Sequence, residues 1–501
     1  MAILYSYVKS KRTYIPRVVV ASHSESICIF IPAFMASTNT IEIQEVSQVT
    51  PFSDSTTQFS LPLTKYDTFW FNFPPVERLY FYQVTDLAPQ FFNSFILPDL
   101  KRSLSLTLLH YLPLAGNLIW PPDAPKPFIW YSPGDGVSVT VGESAADFNF
   151  LSGKEVHEAA ELHPLIPQLL TSDDKAAMIA IQITLFPNEG FCIGITSHHA
   201  ILDGRSSTMF IKSWAYLCKQ LGEDLEEEPF LSPELIPSFD RTVIKDPTGI
   251  DMVYVNDWFS YTNTRSLKLL PNVLPNTDRL RATFELTRED IQKLRNQVLL
   301  RLKKDNEKEE DTAPKQLHLS TFVLTLAYAF VCMVKARRGD DNRRVIFGFT
   351  ADLRARLDPP VPLNYVGNCV MSEFCSATAK DLAEENGVCL VAEKLSEMIK
   401  VVEGGELEAT EDRLSKLLKL MKAVIEGVQG LGVAGSTQFE VYGSDFRWGR
   451  PKKVEIVSID KSGAIALTNS RDKSGGVEIG VVLKKQEMED FASLFVDGLK
   501  D

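Results

Sequence analysis

The stretch from Ile179 to Cys218 restricts the fold of this chain more than any other. Ile179, Ile181, Ile183 and Leu185 alternate with Ala180, Gln182 and Thr184, the period of two that a β-strand imposes because successive side chains leave opposite faces. Pro187-Asn188-Glu189-Gly190 supplies turn residues, and Phe191-Cys192-Ile193-Gly194-Ile195 returns as a second strand, so the pair reads as a hairpin. Beyond Ser197-His198-His199-Ala200-Ile201-Leu202-Asp203-Gly204 the period changes, and Phe210, Trp214, Leu217 and Cys218 fall on one face of an amphipathic helix. The two histidines therefore sit at a strand-to-helix junction, where a rigid scaffold commonly exposes reactive side chains.

The same switching of period recurs on both sides. Ile41-Glu42-Ile43-Gln44-Glu45-Val46 alternates as a half-buried strand would, and Leu100, Leu104, Leu108 and Tyr111 line one face of a helix spanning 99–112. In the second half a strand near Arg281–Leu286 leads to Thr287-Arg288-Glu289-Asp290, which caps a helix with Ile291, Leu294 and Val298 facing inward. Strands alternating with helices give the α/β class, with strand order left open. The charge runs 303–311 and 403–412 read as solvated loops.

At 501 residues the chain exceeds what one hydrophobic core usually serves, so two domains are expected. The acidic, proline-dotted stretch 222–249 reads as the crossover between a first domain, 35–221, and a second, 250–501. Residues 1–34 read as an extension outside the fold, since polar Ser22, His23, Ser24, Glu25 and Ser26 interrupt their apolar runs and Met35 offers a second start. Lys and Arg number 52 against 65 Asp and Glu, a net charge of −13 that disfavours nucleic acid and anionic membranes as partners. Seven cysteines without a Cys-x-x-Cys pair fit reduced thiols in the cytoplasm rather than disulfides or structural zinc. No apolar run approaches the roughly 18 residues of a transmembrane helix.

His199 and Asp203 carry the first chemical signal, although a histidine four residues before an aspartate also arises by chance in a satisfied core. A metal site would need His198 and His199 on one ion, whereas adjacent strand residues point to opposite faces. Neither a Gly-x-Ser-x-Gly elbow nor a phosphate-binding glycine loop is present.

A second segment changes the balance: Tyr442-Gly443-Ser444-Asp445-Phe446-Arg447-Trp448-Gly449-Arg450-Pro451. Together with the His199–Gly204 motif it resembles the two signatures of the plant BAHD acyltransferases, HxxxD and DFGWG. The resemblance runs from about Ile41 onward and includes Tyr111-Leu112-Pro113-Leu114-Ala115-Gly116 and Asp240-Arg241-Thr242-Val243. Asn364-Tyr365-Val366-Gly367-Asn368-Cys369 is similar to the YFGNC motif of the branch that malonylates anthocyanin and flavonoid glucosides, as is Val433-Ala434-Gly435-Ser436. Val366 replaces that branch's Phe. Arg447 replaces the first Gly of DFGWG, a costly change if the position adopts φ > 0.

What the resemblance implies is specific. It implies two chloramphenicol-acetyltransferase-like domains of mixed sheets and helices, with a channel that acyl-CoA and acceptor enter from opposite faces. His199 is the implied general base, acting without a covalent acyl-enzyme or a permanently bound cofactor. Asp203 is implied to be structural and paired with an arginine, and Asp445 to hold a loop through Arg354 or Arg356. Malonyl-CoA is the implied donor and a glucoside of a flavonoid, anthocyanin or simpler phenolic the acceptor, with acetyl-CoA or a hydroxycinnamoyl-CoA as rival donors. A monomer is implied. CoA phosphates would need local cations, for which Lys452, Lys453, Arg343 and Arg344 are candidates, and Arg205 is placed to meet a malonyl carboxylate. A rival of another class is a catalytically silent binding protein on the same fold.

Overall fold

The computed structural model describes residues 40–52, 57–222, 229–270, 278–306, 317–404 and 409–500. The segment 1–34 lies outside these residues apart from three short strands, Tyr5–Ser10, Thr13–Val19 and Cys28–Ile29.

The first half builds a sheet from β1 (Ile41–Val49), β2 (Val76–Gln83), β3 (Val137–Ser144), β4 (Ile179–Phe186) and β5 (Gly190–Ser197). β4 and β5 form the expected hairpin, with Ile181 opposite Ile195, and every residue of both strands is buried. β2 flanks β5, and β3 lies parallel to β4. β1 is present but not half-buried: it pairs with β3, bulges between Ile43 and Glu45, and leaves Ile43 51% and Val46 66% exposed. Its alternation identified a strand but could not show that it lies outermost, with a neighbour on one side only.

Helix α1 (Lys65–Trp70) opens on a capping box between Thr64 and Asp67. α2 (Leu97–His110) buries Leu100, Leu104 and Leu108 and packs on α3 (Gly204–Gln220), whose Trp214 donates Nε1–H to the Leu100 carbonyl at 3.0 Å.

The second half contains β6 (Arg279–Leu286), β7 (Arg344–Asp352), β8 (Val370–Thr378), β9 (Ile465–Asn469) and β10 (Val477–Lys484). β6, β10 and β9 lie side by side, and β7 pairs with β8 in a separate sheet. α4 (Arg288–Asn306) begins at a Thr287–Asp290 capping box, Thr287 Oγ1 accepting from the Asp290 amide at 3.1 Å, and buries Ile291, Leu294 and Val298. α5 (Thr321–Ala336) is apolar and nearly all buried, yet no helix among the described residues is long and apolar enough to cross a membrane.

The two halves exchange edges. Lys453–Ile456 pairs with β2 in the first sheet, and His157–Glu158 pairs with β6 in the second. A buried ionic network ties the exchange: Arg281, 0% exposed, binds Glu455 at 2.6 Å and Asp460 at 2.5 Å, and Lys453 donates to Thr283 Oγ1 at 2.9 Å. Within the stretch 222–249, read as the crossover, the described part 229–249 is mostly exposed or half-buried but is anchored at Leu231, Arg241 and Ile244. Its Arg241 is buried and donates to the Val366 carbonyl at 2.7 Å, which no composition count anticipates.

Candidate active site

A cavity of about 840 Å³ lies where elements of both halves meet. Trp70, Phe73, His199 and Arg205 reach it from the first half, and Phe322, Phe349, Asp352, Phe374 and Phe439 from the second. Its wall mixes aromatic and aliphatic side chains with numerous polar and charged ones, which suits a ligand that carries both kinds of surface.

β5 ends at Ser197 and α3 starts at Gly204, so His198 and His199 lie in the turn between them. His198 points into the core, where its Nδ1 accepts the Ala200 amide at 3.1 Å and burial drops its pKa to about 3, keeping it neutral. His199 faces the cavity. Its Nδ1 is enclosed near its own backbone carbonyl without a well-formed hydrogen bond, which leaves Nε2 as the nitrogen open to a ligand. Burial lowers its pKa below the usual 6.5, opposed by its own backbone carbonyl, by the charge of Asp203 and by Asn368. The indole of Trp70 lies against it, 4.8 Å between ring centroids and 13° between planes. Among the described residues no group of three His, Cys, Asp or Glu side chains is placed to hold a metal.

Asp203 caps α3 by accepting the Ser206 amide at 2.9 Å. Its other oxygen meets Arg354 at 2.8 Å, with both side chains 1% exposed, and accepts the Cys369 amide at 3.2 Å. Arg354 is held by Asp352 Oδ1 at 3.0 Å and by the Gly367 carbonyl at 3.0 Å. The arginine partner is thus Arg354, from the second half. Gly204 follows because the Phe439 ring crosses there, and a Cβ would stand 2.6 Å from it.

Two residues that sequence reasoning missed fix the histidine's backbone. Asn368 donates Nδ2–H to the His199 carbonyl at 2.8 Å and to Asp67 Oδ1 at 3.1 Å. Asp67 also accepts the Asn368 amide at 2.9 Å and the Thr64 hydroxyl at 2.8 Å. Asn368 was visible only as part of a branch motif. Thr64-Lys65-Tyr66-Asp67 does carry a capping signature that could have marked the aspartate as buried and structured.

Asp445 is not partnered by Arg354 or Arg356. Its Oδ1 accepts the amides of Arg447 at 2.9 Å and Gly449 at 3.0 Å, so it closes its own loop. Arg354 is taken by Asp203, and Arg356 donates to the Asp352 carbonyl at 2.5 Å. The loop packs on the far side of α3, where Phe446 meets Trp214 edge to face and Tyr82 donates to the Ser444 carbonyl at 3.0 Å.

Arg447 does adopt the left-handed region, φ 82°, where a side chain costs roughly 1–2 kcal/mol. Its guanidinium binds Asp99 at 3.0 Å and crosses Gly222, where a Cβ would overlap it. An exposed pair of this kind offsets at most about 1 kcal/mol. Arg447→Gly is therefore expected to stabilise the protein by up to about 1 kcal/mol, read as a higher urea midpoint with unchanged m.

The four phosphate candidates stand elsewhere. Lys453 is buried in the ionic network, and Arg343 donates to the Val334 and Arg337 carbonyls at 2.6 and 2.7 Å. Lys452 donates to Asn149 at 2.6 Å, and neither it nor Arg344 lines the cavity. The cations that do line it are Arg78, Arg205, Arg356 and Lys461. Arg205 gives its Nε–H to Asp352 at 2.8 Å, and Lys461 is paired with Glu77.

The site is thus a histidine open to a cavity shared by two interlocked halves, an arrangement suited to general-base chemistry between two substrates. The chain matches the Transferase family over residues 39–497 and belongs to it, as a BAHD acyltransferase. Phenolic glucoside malonyltransferase 1 of Arabidopsis thaliana is 46% identical over 478 residues, covering 92% of this chain and 98% of that one. Malonyl-CoA:anthocyanidin 5-O-glucoside-6''-O-malonyltransferase of Arabidopsis thaliana is 45% identical over 467 residues, covering 92% and 98%. The crystal structure of vinorine synthase superposes with a TM-score of 0.63 at 21% identity, covering 91% of this chain and 98% of that one, which shows the shared fold.

Proposed function

We propose that this protein transfers a malonyl group from malonyl-CoA to a sugar hydroxyl of a flavonoid, anthocyanin or simpler phenolic glucoside. The observation that carries the reading is a neutral, half-buried His199 with Nε2 facing a cavity built by both halves, in a chain 46% identical to a phenolic glucoside malonyltransferase. Nε2 takes the hydroxyl proton as the oxygen attacks the thioester carbonyl carbon. The C–O bond forms, the carbonyl electrons move onto oxygen, and collapse of that intermediate breaks the C–S bond. The imidazolium returns its proton to the CoA sulfur. A thioester is already activated, so holding two substrates beside one base supplies what the reaction needs.

Asp203 and Asp445 act by holding the turn and the loop rather than by touching substrate. The protein works as a cytoplasmic monomer without a resident cofactor, a setting that suits its six described free cysteines. Arg205 is the candidate partner of the malonyl carboxylate, with Asp352 as its counter-ion when no donor is bound. Against the silent binding protein stand the open His199 and the accommodation of Arg447 by Asp99 and Gly222.

The test offers malonyl-CoA and acetyl-CoA with a panel of phenolic glucosides, the products being identified by mass and by NMR of the sugar. Malonylated glucoside should dominate, and Arg205→Gln should reduce malonyl transfer on the order of tenfold, the value of one charge-assisted contact, while leaving acetyl transfer close to wild type. Equal losses with both donors would remove Arg205 from carboxylate recognition, and transfer from acetyl-CoA alone would overturn the malonyl reading.

A further inference from the structure

His199 must change charge during the reaction proposed above, and no carboxylate receives its ring. Nδ1 makes no well-formed hydrogen bond, and what favours its protonation besides the indole is its own backbone carbonyl, Asn368 and the more distant charge of Asp203. The charged and titratable groups on the elements packed around it are otherwise engaged: Asp203 with Arg354, Asp67 with Thr64 and Asn368, and Arg205 with Asp352. His198, its neighbour, is neutral. What does lie against the imidazole is an indole face, close to parallel and 4.8 Å away between centroids.

We infer that Trp70 is a positioning residue for His199, its indole face holding the imidazole plane and stabilising the imidazolium that forms when the acceptor's proton arrives. A cation over the face of tryptophan is attracted by the ring quadrupole, whereas a neutral imidazole gains only dispersion. The contact is therefore stronger once the proton has moved. An interaction that strengthens toward the transition state accelerates the reaction instead of merely tightening binding.

The placement of Trp70 supports a fixed platform rather than a passing contact. It is the last residue of α1, only 7% exposed, and its Nε1–H donates to the Val370 carbonyl at 3.3 Å. Phe69 meets it edge to face at 5.0 Å and Phe73 tilts against it at 4.7 Å. The capping aspartate of the same helix, Asp67, binds the Asn368 that holds the His199 carbonyl. One short helix thus sets both the backbone and the ring of the histidine.

The inference rests on the general-base reading, but it can be tested without substrate. Histidines carrying 13C at Cε1 are titrated by NMR in the full-length protein, the His199 signal being assigned by its loss in His199→Gln. Trp70→Leu removes the indole face, and Trp70→Phe keeps a weaker aromatic face without the Nε1–H bond. The His199 midpoint should fall in Trp70→Leu and fall less in Trp70→Phe. An indole that only excludes water predicts the opposite sign, since truncation would hydrate the ring and raise the midpoint, so a raised or unchanged midpoint in Trp70→Leu overturns the inference. Trp70→Met fills more of the space and carries the same comparison if Trp70→Leu does not fold. With donor and acceptor present, kcat should drop about tenfold in Trp70→Leu and less than about threefold in Trp70→Phe. A fallen midpoint in a protein that uses no acyl-CoA would sink the proposed function and leave the Trp70–His199 interaction standing.

Discussion

Replacing His199 with Ala should leave a folded protein whose turnover is lower by on the order of 10²–10⁴-fold, the usual contribution of a positioned general base. The fold should survive because Asn368 keeps its bonds to the His199 carbonyl and Asp67 when the ring is truncated, so the melting midpoint should move by no more than about 4 °C. The pH dependence follows from the same residue. Burial lowers the His199 pKa, and the active form is the deprotonated one, so kcat/KM should rise with pH through a midpoint below 6.5 and stay flat across neutrality. The rising limb should vanish in the residual activity of His199→Ala. A variant that keeps most of its turnover, or a wild-type limb above 6.5, would mean that another group takes the proton.

Asp203→Ala should damage stability more than chemistry. Removing one member of a buried pair leaves the other charged and uncompensated, a cost of about 3–5 kcal/mol. Arg354 would retain Asp352 but lose its 2.8 Å partner, and α3 would lose its cap, about 1 kcal/mol more. Urea unfolding should register most of this sum. Asp203→Asn, which retains a cap acceptor, should lie between Asp203→Ala and wild type. The protein that remains folded should still transfer acyl groups, because Asp203 turns its oxygens to Arg354, Ser206 and Cys369. A stable Asp203→Ala protein with turnover as low as His199→Ala would instead argue for a catalytic dyad.

The local grammar of the chain was readable where one segment decides its own structure. The β4–β5 hairpin, the inward face of α4 and its Thr287 cap follow from period and turn chemistry within a few residues. Even the left-handed backbone at Arg447 was visible, as a side chain where a glycine usually stands. Long-range partners were not. Lys453 looks like a surface cation beside Lys452, yet strand exchange carries it into the interior beside Thr283 and Glu478. Asp445 was assigned to an arginine, but two amides of its own loop satisfy it locally. The Asp67–Asn368 clamp joins residues about three hundred positions apart in sequence, and no periodicity encodes such a contact. The histidine was therefore legible and much of what holds it was not.

The most direct test of direct transfer from CoA to hydroxyl under His199 is a time course of free CoA thiol after mixing enzyme with malonyl-CoA, with and without a phenolic glucoside. Thiol should appear only when the glucoside is present, in step with malonylated product, and the signal should collapse in His199→Ala. A burst of thiol equal to the enzyme concentration without acceptor would reveal an acyl-enzyme, and a time course unaltered by His199→Ala would remove His199 from the chemistry.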